Sequence, residues 1–137
     1  MNFGDRLREL RLKKKMTQAE FGEALGITNR TVINYETGKR IPKDMSFYKK
    51  VSARFGIALE SLITEKEEFA VKAYAEGGLK EMRKAEALIA EAGALFAGGE
   101  LTEEDKEAVF MALQEAYWFA KSENKKYASK TRGAKRK

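Results

Sequence analysis

Apolar residues recur at three- and four-residue steps along nearly the whole chain, and one proline and a handful of glycines are the only interruptions. That period is the helical one, because side chains three and four positions apart share a helix face. Between the interruptions the chain is rich in Ala, Leu, Glu and Lys, which are good helix formers. The expected fold class is therefore all-α. With 43% hydrophobic and 35% charged residues the chain can close a core and keep a solvated surface, which argues against global disorder.

Cysteine and histidine are both absent. Disulfides, Cys/His zinc sites, thiol nucleophiles and imidazole acid–base catalysis are thereby removed. No Gly-rich phosphate loop or convergent carboxylate motif takes their place, so an enzyme is not expected, and neither is a cofactor or a metal. The start, MNFGDRLRELRLKKK, is charged and does not read as a secretory signal. No apolar run approaches the ~20 residues that span a bilayer.

The formal net charge of +6 conceals three segments. Residues 1–63 carry 13 Lys/Arg against 7 Asp/Glu, residues 64–121 carry 7 against 13, and residues 122–137 carry 7 against 1. A basic head suits a polyanion, because neutralising phosphates releases condensed counterions. A merely solubilising surface would look the same by charge, so the motifs must decide.

Phe3, Leu7 and Leu10 mark a first amphipathic helix over residues 3–15. Thr17 with Glu20 three residues on forms a capping-box pattern for a second helix, whose apolar face is Phe21 and Leu25. Gly26 falls where a tight turn needs a positive φ. Thr28 is a good N-cap for a third helix carrying Val32 and Tyr35 on one side, and Gly38 ends it. A basic loop, KRIPK at residues 39–43, leads to a fourth helix marked by Phe47, Val51 and Phe55, and then to a short fifth at Leu59, Leu62 and Ile63.

The string TQAEFGEALGITNRTVINYETGKRIP, residues 17–42, resembles the helix-turn-helix of the Cro/C1 (Xre, lambda-repressor-like) family. The flanking LRELR and FGIALESLI resemble that family's first and last helices, so the likeness covers about residues 3–63. It implies a five-helix DNA-binding domain whose third helix enters the major groove. Carried over residue by residue, Thr28, Asn29, Arg30 and Asn34 face base edges; Asn suits adenine, and Arg suits guanine O6 and N7. Ile33 sits where relatives often carry a small polar residue. It either touches a thymine methyl, which places it with the base-contacting set, or packs on a neighbouring helix. Thr17 and Gln18 at the start of the second helix, with Lys39, Arg40 and Lys43, are expected at phosphates, which position the protein without reading sequence. Arg11 and Glu36 match a structural ion pair between the first and third helices.

Residues 64–78 read as a helical linker ending at Gly77–Gly78. Leu79, Met82, Ala85, Ile89, Ala92 and Phe96 then give an amphipathic helix over 79–97. Gly98–Gly99 stop it, and Thr102 with Asp105 opens another that carries Val109, Phe110, Leu113, Tyr117 and Ala120. A short connection between two such helices reads as an antiparallel hairpin over 79–128. Met111, Tyr117, Trp118 and Phe119 point in several directions around one helix and need more than one partner. A second copy of the chain is the expected one, giving a homodimer interface; a monomer folded back on its own head is the alternative. Residues 129–137 form a basic tail expected to be disordered.

Together these features point to a sequence-specific DNA-binding transcriptional regulator, a repressor that binds a palindromic operator as a homodimer. The alternative is an antitoxin-like or antagonist protein whose C-terminal hairpin binds a protein partner. The resemblance implies a cytoplasmic, nucleoid-associated protein encoded by a bacterium or a phage, with double-stranded DNA as partner and no membrane association.

Overall fold

The computed structural model describes the backbone of residues 1–135 and the side chains of residues 1–126. Every regular element among the described residues is a helix: α1 (Phe3–Lys13), α2 (Gln18–Leu25), α3 (Asn29–Thr37), α4 (Met45–Phe55), a 3₁₀ turn (Leu59–Ser61), α5 (Glu65–Phe96) and α6 (Glu103–Lys135). The fold is all-α. Among the described residues no helix is long and apolar enough to cross a membrane.

Side-chain caps set the helix starts. Asn2 Oδ1 accepts from Asp5 N at 2.9 Å, and Asp5 Oδ2 accepts from Asn2 N at 3.3 Å, a reciprocal capping box for α1. Thr17 and Glu20 do the same for α2, with Thr17 Oγ1 accepting from Glu20 N at 3.1 Å and Glu20 Oε1 accepting from Thr17 N at 3.0 Å. Asp44 caps α4 through Ser46 N, and Thr64 precedes α5 with Glu67 closing back onto it. Each such cap satisfies helix N–H groups that have no partner in the first turn.

The chain divides into two compact units, Met1–Ala87 and Leu88–Lys137, so the division falls inside α5. In the first unit Leu7, Phe21, Leu25, Val32, Tyr48 and Val51 are fully buried. The inward stripe of α4 is Met45, Tyr48 and Val51, at three-residue steps. Phe47 and Phe55, which the sequence led us to place on that stripe, lie half-buried at its margins. Phe47 stands edge-on to Tyr35 at 4.9 Å, and Phe55 stacks on Phe21 at 5.3 Å.

The segment 59–63 is a single 3₁₀ turn followed by the buried pair Leu62 and Ile63, where a short helix was expected. The core of the first unit is finished by α5, with Phe69, Ala70, Val71 and Ala73 buried. Arg6 fixes where α5 starts. Its guanidinium donates to Leu62 O at 2.8 Å and to both Glu67 oxygens, at 2.7 and 3.1 Å. Burial pushes the Glu67 carboxyl up, but the hydrogen bonds from Arg6 and Thr64 outweigh it and hold the group below its ordinary value.

The expected break at Gly77–Gly78 is a kink inside α5. Gly77 has φ −147° and ψ 18°, and Gly78 has φ 73° and ψ −159°. The Gly78 combination belongs to a region of backbone space that is essentially reserved to glycine.

In the second unit, residues 97–102 join α5 to α6, and Thr102 Oγ1 accepts from Asp105 N at 3.1 Å to start α6. Ala92 and Phe110 are buried, whereas Leu95 and Phe119 are 80% and 67% exposed. The backbone of α6 is helical to Lys135, through most of the stretch expected as a disordered tail. Residues 136 and 137 lie outside the described residues.

Candidate nucleic-acid interface

Three anchors hold α3 from behind. The first is a close approach to α2. A Cβ added at Gly22 would lie 2.7 Å from Ile27 O and 3.3 Å from Val32 Cγ2, so only glycine lets the turn close this tightly. Gly22 O accepts from Ile27 N at 2.9 Å across that turn, and Gly26 takes the left-handed conformation, φ 70°, that ends α2.

The second anchor is Gly4 on α1, where a Cβ would meet Glu36 O at 2.5 Å and Tyr35 O at 2.7 Å. The third is electrostatic. Arg11 Nε donates to Glu36 Oε2 at 2.7 Å and Nη2 to Oε1 at 3.0 Å, while Nη1 donates to Met16 O at 3.1 Å. Arg11 is 8% exposed, so this fork-to-carboxylate pair is shielded from water and geometrically strict. Arg11 and Glu36 thus form the ion pair between α1 and α3, and it also spans the start of α2. Gln18 Nε2 donates to Glu36 Oε1 at 3.3 Å.

With its back fixed, α3 turns its first residues outward. Thr28, Asn29, Arg30 and Ile33 are exposed, and Asn34 is half-buried. Thr28 also caps α3: its Oγ1 accepts from Thr31 N at 3.1 Å and is hydrogen-bonded to Thr31 Oγ1 at 2.8 Å. Ile33 is 37% exposed, so it is not buried in a helix–helix contact. Beyond Gly38 the backbone turns back, Arg40 N donating to Asn34 O at 3.2 Å, and Lys39, Arg40 and Lys43 stand exposed beside the C-terminal end of α3. Among the described residues, Arg30, Lys39, Arg40 and Lys43 make no salt bridge. Unspent cations flanking an outward polar helix match a polyanion with readable edges.

The sequence-derived site residues divide by what they do here. Thr28, Asn29, Arg30, Ile33 and Asn34 share the outward side of α3, and Lys39, Arg40 and Lys43 flank it. Thr17 is engaged as the α2 cap, and Gln18 donates its amide to Glu36 Oε1. Met111, Tyr117, Trp118 and Phe119 belong to α6, in the other unit. Met111 and Phe119 are exposed, while Tyr117 and Trp118 are half-buried with their rings edge-on at 4.9 Å. Gly4, Gly22 and Arg6, which set the pose of α3 and the start of α5, carried no local signal in the sequence.

A tight helix–turn–helix with an outward polar second helix and a cationic flank defines the class: a DNA-binding helix-turn-helix of the kind used in transcription regulation. Residues 7–62 match the family model described as Helix-turn-helix. The chain is similar to the cryptic phage CTXphi transcriptional repressor RstR of Vibrio cholerae, with 26% identity over 65 residues. The likeness covers 47% of this chain and 58% of the relative, so it spans little more than half of that protein. No solved structure matches the chain.

Proposed function

We propose that this chain is a sequence-specific transcriptional repressor that binds a palindromic operator as a homodimer. The observation that carries the reading is α3 itself. Its inner side is locked by Gly22, Gly4 and the Arg11–Glu36 pair, while Asn29 and Arg30 are exposed and Asn34 is half-buried. A preorganised helix loses little freedom when it docks, so binding energy goes into contacts with bases. Thr28 and Ile33 complete the reading surface, Ile33 by apolar contact with a thymine methyl. Lys39, Arg40 and Lys43 hold the phosphates, joined by Thr17 and Gln18 at the α2 start.

One such head contacts too few base pairs to find an operator in a genome. Two heads about one helical turn apart (~34 Å) raise affinity through effective concentration. The exposed apolar side chains of the second unit, Met111 and Phe119 on α6 and Leu95 on α5, support a second copy of this chain as their cover. The phage repressor named above supports repression over activation.

Selection of bound duplexes from a random pool, with the full chain near physiological salt, tests this reading. The expected result is an enriched palindrome. No enrichment, with binding that collapses steeply as salt rises, would leave a phosphate-gripping surface only. The search would then turn to a protein partner for the second unit.

A further inference from the structure

A cleft of about 680 Å³ lies within the first unit, between the second half of α3, residues 38–44 and the kinked stretch of α5. Lys39, Arg40 and Lys43 bring three cations to its lining, and Asn34 and Tyr74 bring an amide and a phenol. The carboxylate in that lining, Asp44, is committed to capping α4: it accepts from Ser46 N at 2.9 Å and takes the Ser46 hydroxyl too. Positive charge is thus in excess, and a cleft with that balance takes an anion. The rest of the lining is largely apolar, with Leu79 and Met82 from α5 joining Ile41, Pro42 and Phe47. A sugar–phosphate strand presents both surfaces, anionic oxygens and the apolar faces of its deoxyriboses.

The kink in α5 falls within the stretch that lines this cleft. Tyr74 precedes it and Leu79 and Met82 follow it, yet all three line one cleft. The cleft also shares Asn34, Lys39, Arg40 and Lys43 with the interface described above. A strand that meets those residues meets α5.

We propose that the kinked stretch of α5 is part of the DNA interface, and that the cleft seats the sugar–phosphate backbone flanking the bases read by α3. The proposal rests on the DNA-binding reading of α3. Tyr74 donates its hydroxyl to a phosphate, and Leu79 and Met82 lie against deoxyriboses. The acidic composition of the middle segment does not keep it from the nucleic acid, because its first half is built into the domain that binds.

Fluorescence anisotropy of the full chain on a labelled duplex carrying the enriched sequence tests this. Tyr74→Phe removes one hydroxyl, and Leu79→Glu puts a carboxylate on a residue that is 58% exposed. Thermal melting checks that both variants fold. Tyr74→Phe is expected to weaken binding about two- to tenfold with base preference unchanged, the effect of one hydrogen bond. Leu79→Glu is expected to weaken it by roughly tenfold or more, a loss that shrinks as salt rises. Wild-type affinity in both variants, while Arg30→Ala binds poorly, overturns the proposal and leaves the reading of α3 standing. No enriched duplex for the unmutated chain overturns both. A separate arm titrates inorganic phosphate and adenosine monophosphate into the unmutated chain and Leu79→Glu by calorimetry. Binding of either that Leu79→Glu abolishes, with DNA affinity indifferent to the substitution, assigns the cleft to a free phosphate compound and overturns the DNA assignment.

Discussion

Arg30 stands exposed in the first turn of α3, and none of the anchors behind that helix involves it. Its substitution therefore reports on recognition and not on folding. Arg30→Ala is expected to leave the melting temperature unchanged, to cost roughly 1–3 kcal/mol of operator affinity and to relax preference at one base pair of each half-site. Repeating the duplex selection with the variant checks this; an unchanged consensus would remove Arg30 from the reading set.

Glu67 shows the other kind of residue. Its carboxyl is held below its ordinary value in the folded chain by Arg6 and Thr64, against the opposing effect of burial. A carboxylate with a depressed folded value contributes stability that is present above the unfolded value of about 4.3 and lost as pH falls through the folded one. Melting temperature is thus expected to drop below about pH 4.3 more steeply for the unmutated chain than for Glu67→Gln. Parallel curves for the two proteins would mean that the Arg6–Glu67 contact contributes nothing. At this scale, polar pairs within a few residues were legible: Thr17 with Glu20 and Thr28 with its helix needed only local spacing. Arg6 and Glu67 lie 61 positions apart, and no local pattern joins them.

At the scale of elements, helix type and order could be read from periodicity, whereas contact distances could not. Gly26 and Gly38 announced themselves as helix stops because that role is local. Gly22 did not, because its requirement comes from Ile27 O and Val32 reaching it across the turn. Gly22→Ala is expected to destabilise the first unit by about 1–3 kcal/mol, since backbone must shift to admit the methyl group. Gly93, in the helical second half of α5, would place a Cβ in open space, and Gly93→Ala is expected to stabilise by about 0.5–1 kcal/mol. Denaturant titration of the two variants side by side checks the signs; equal effects would mean the α2–α3 contact has room to spare. The Gly77–Gly78 pair was legible as an interruption. That it bends one helix without ending it, placing Tyr74 and Met82 on the same cleft, depended on the packing of α5 against the core.

For the whole molecule, the proposed dimer rests on the second unit. Met111 and Phe119 are 48% and 67% exposed on α6, apolar side chains that a second copy would cover. If a second copy covers it, Phe119→Glu is expected to convert the dimer to a monomer in sedimentation equilibrium with helix content intact. Operator affinity is then expected to fall by roughly 10²- to 10⁴-fold, the loss of effective concentration. An unmutated chain that sediments as a monomer would sink the dimer and redirect the aromatic cluster of α6 to a different partner.

The amino-acid order alone determined the all-α class, the helix-turn-helix between residues 17 and 42, its caps and the polar character of the outward helix. Those properties follow from hydrophobic period, capping chemistry and backbone preference, which act over a few residues. Tertiary structure alone decided how tightly α3 is held, which face of α4 turns inward and where the first unit ends. It also decided that α5 completes the core of the DNA-binding domain and does not merely lead away from it. These depend on which distant groups meet, at separations set by side-chain volume and by charges that must be paired once water is excluded.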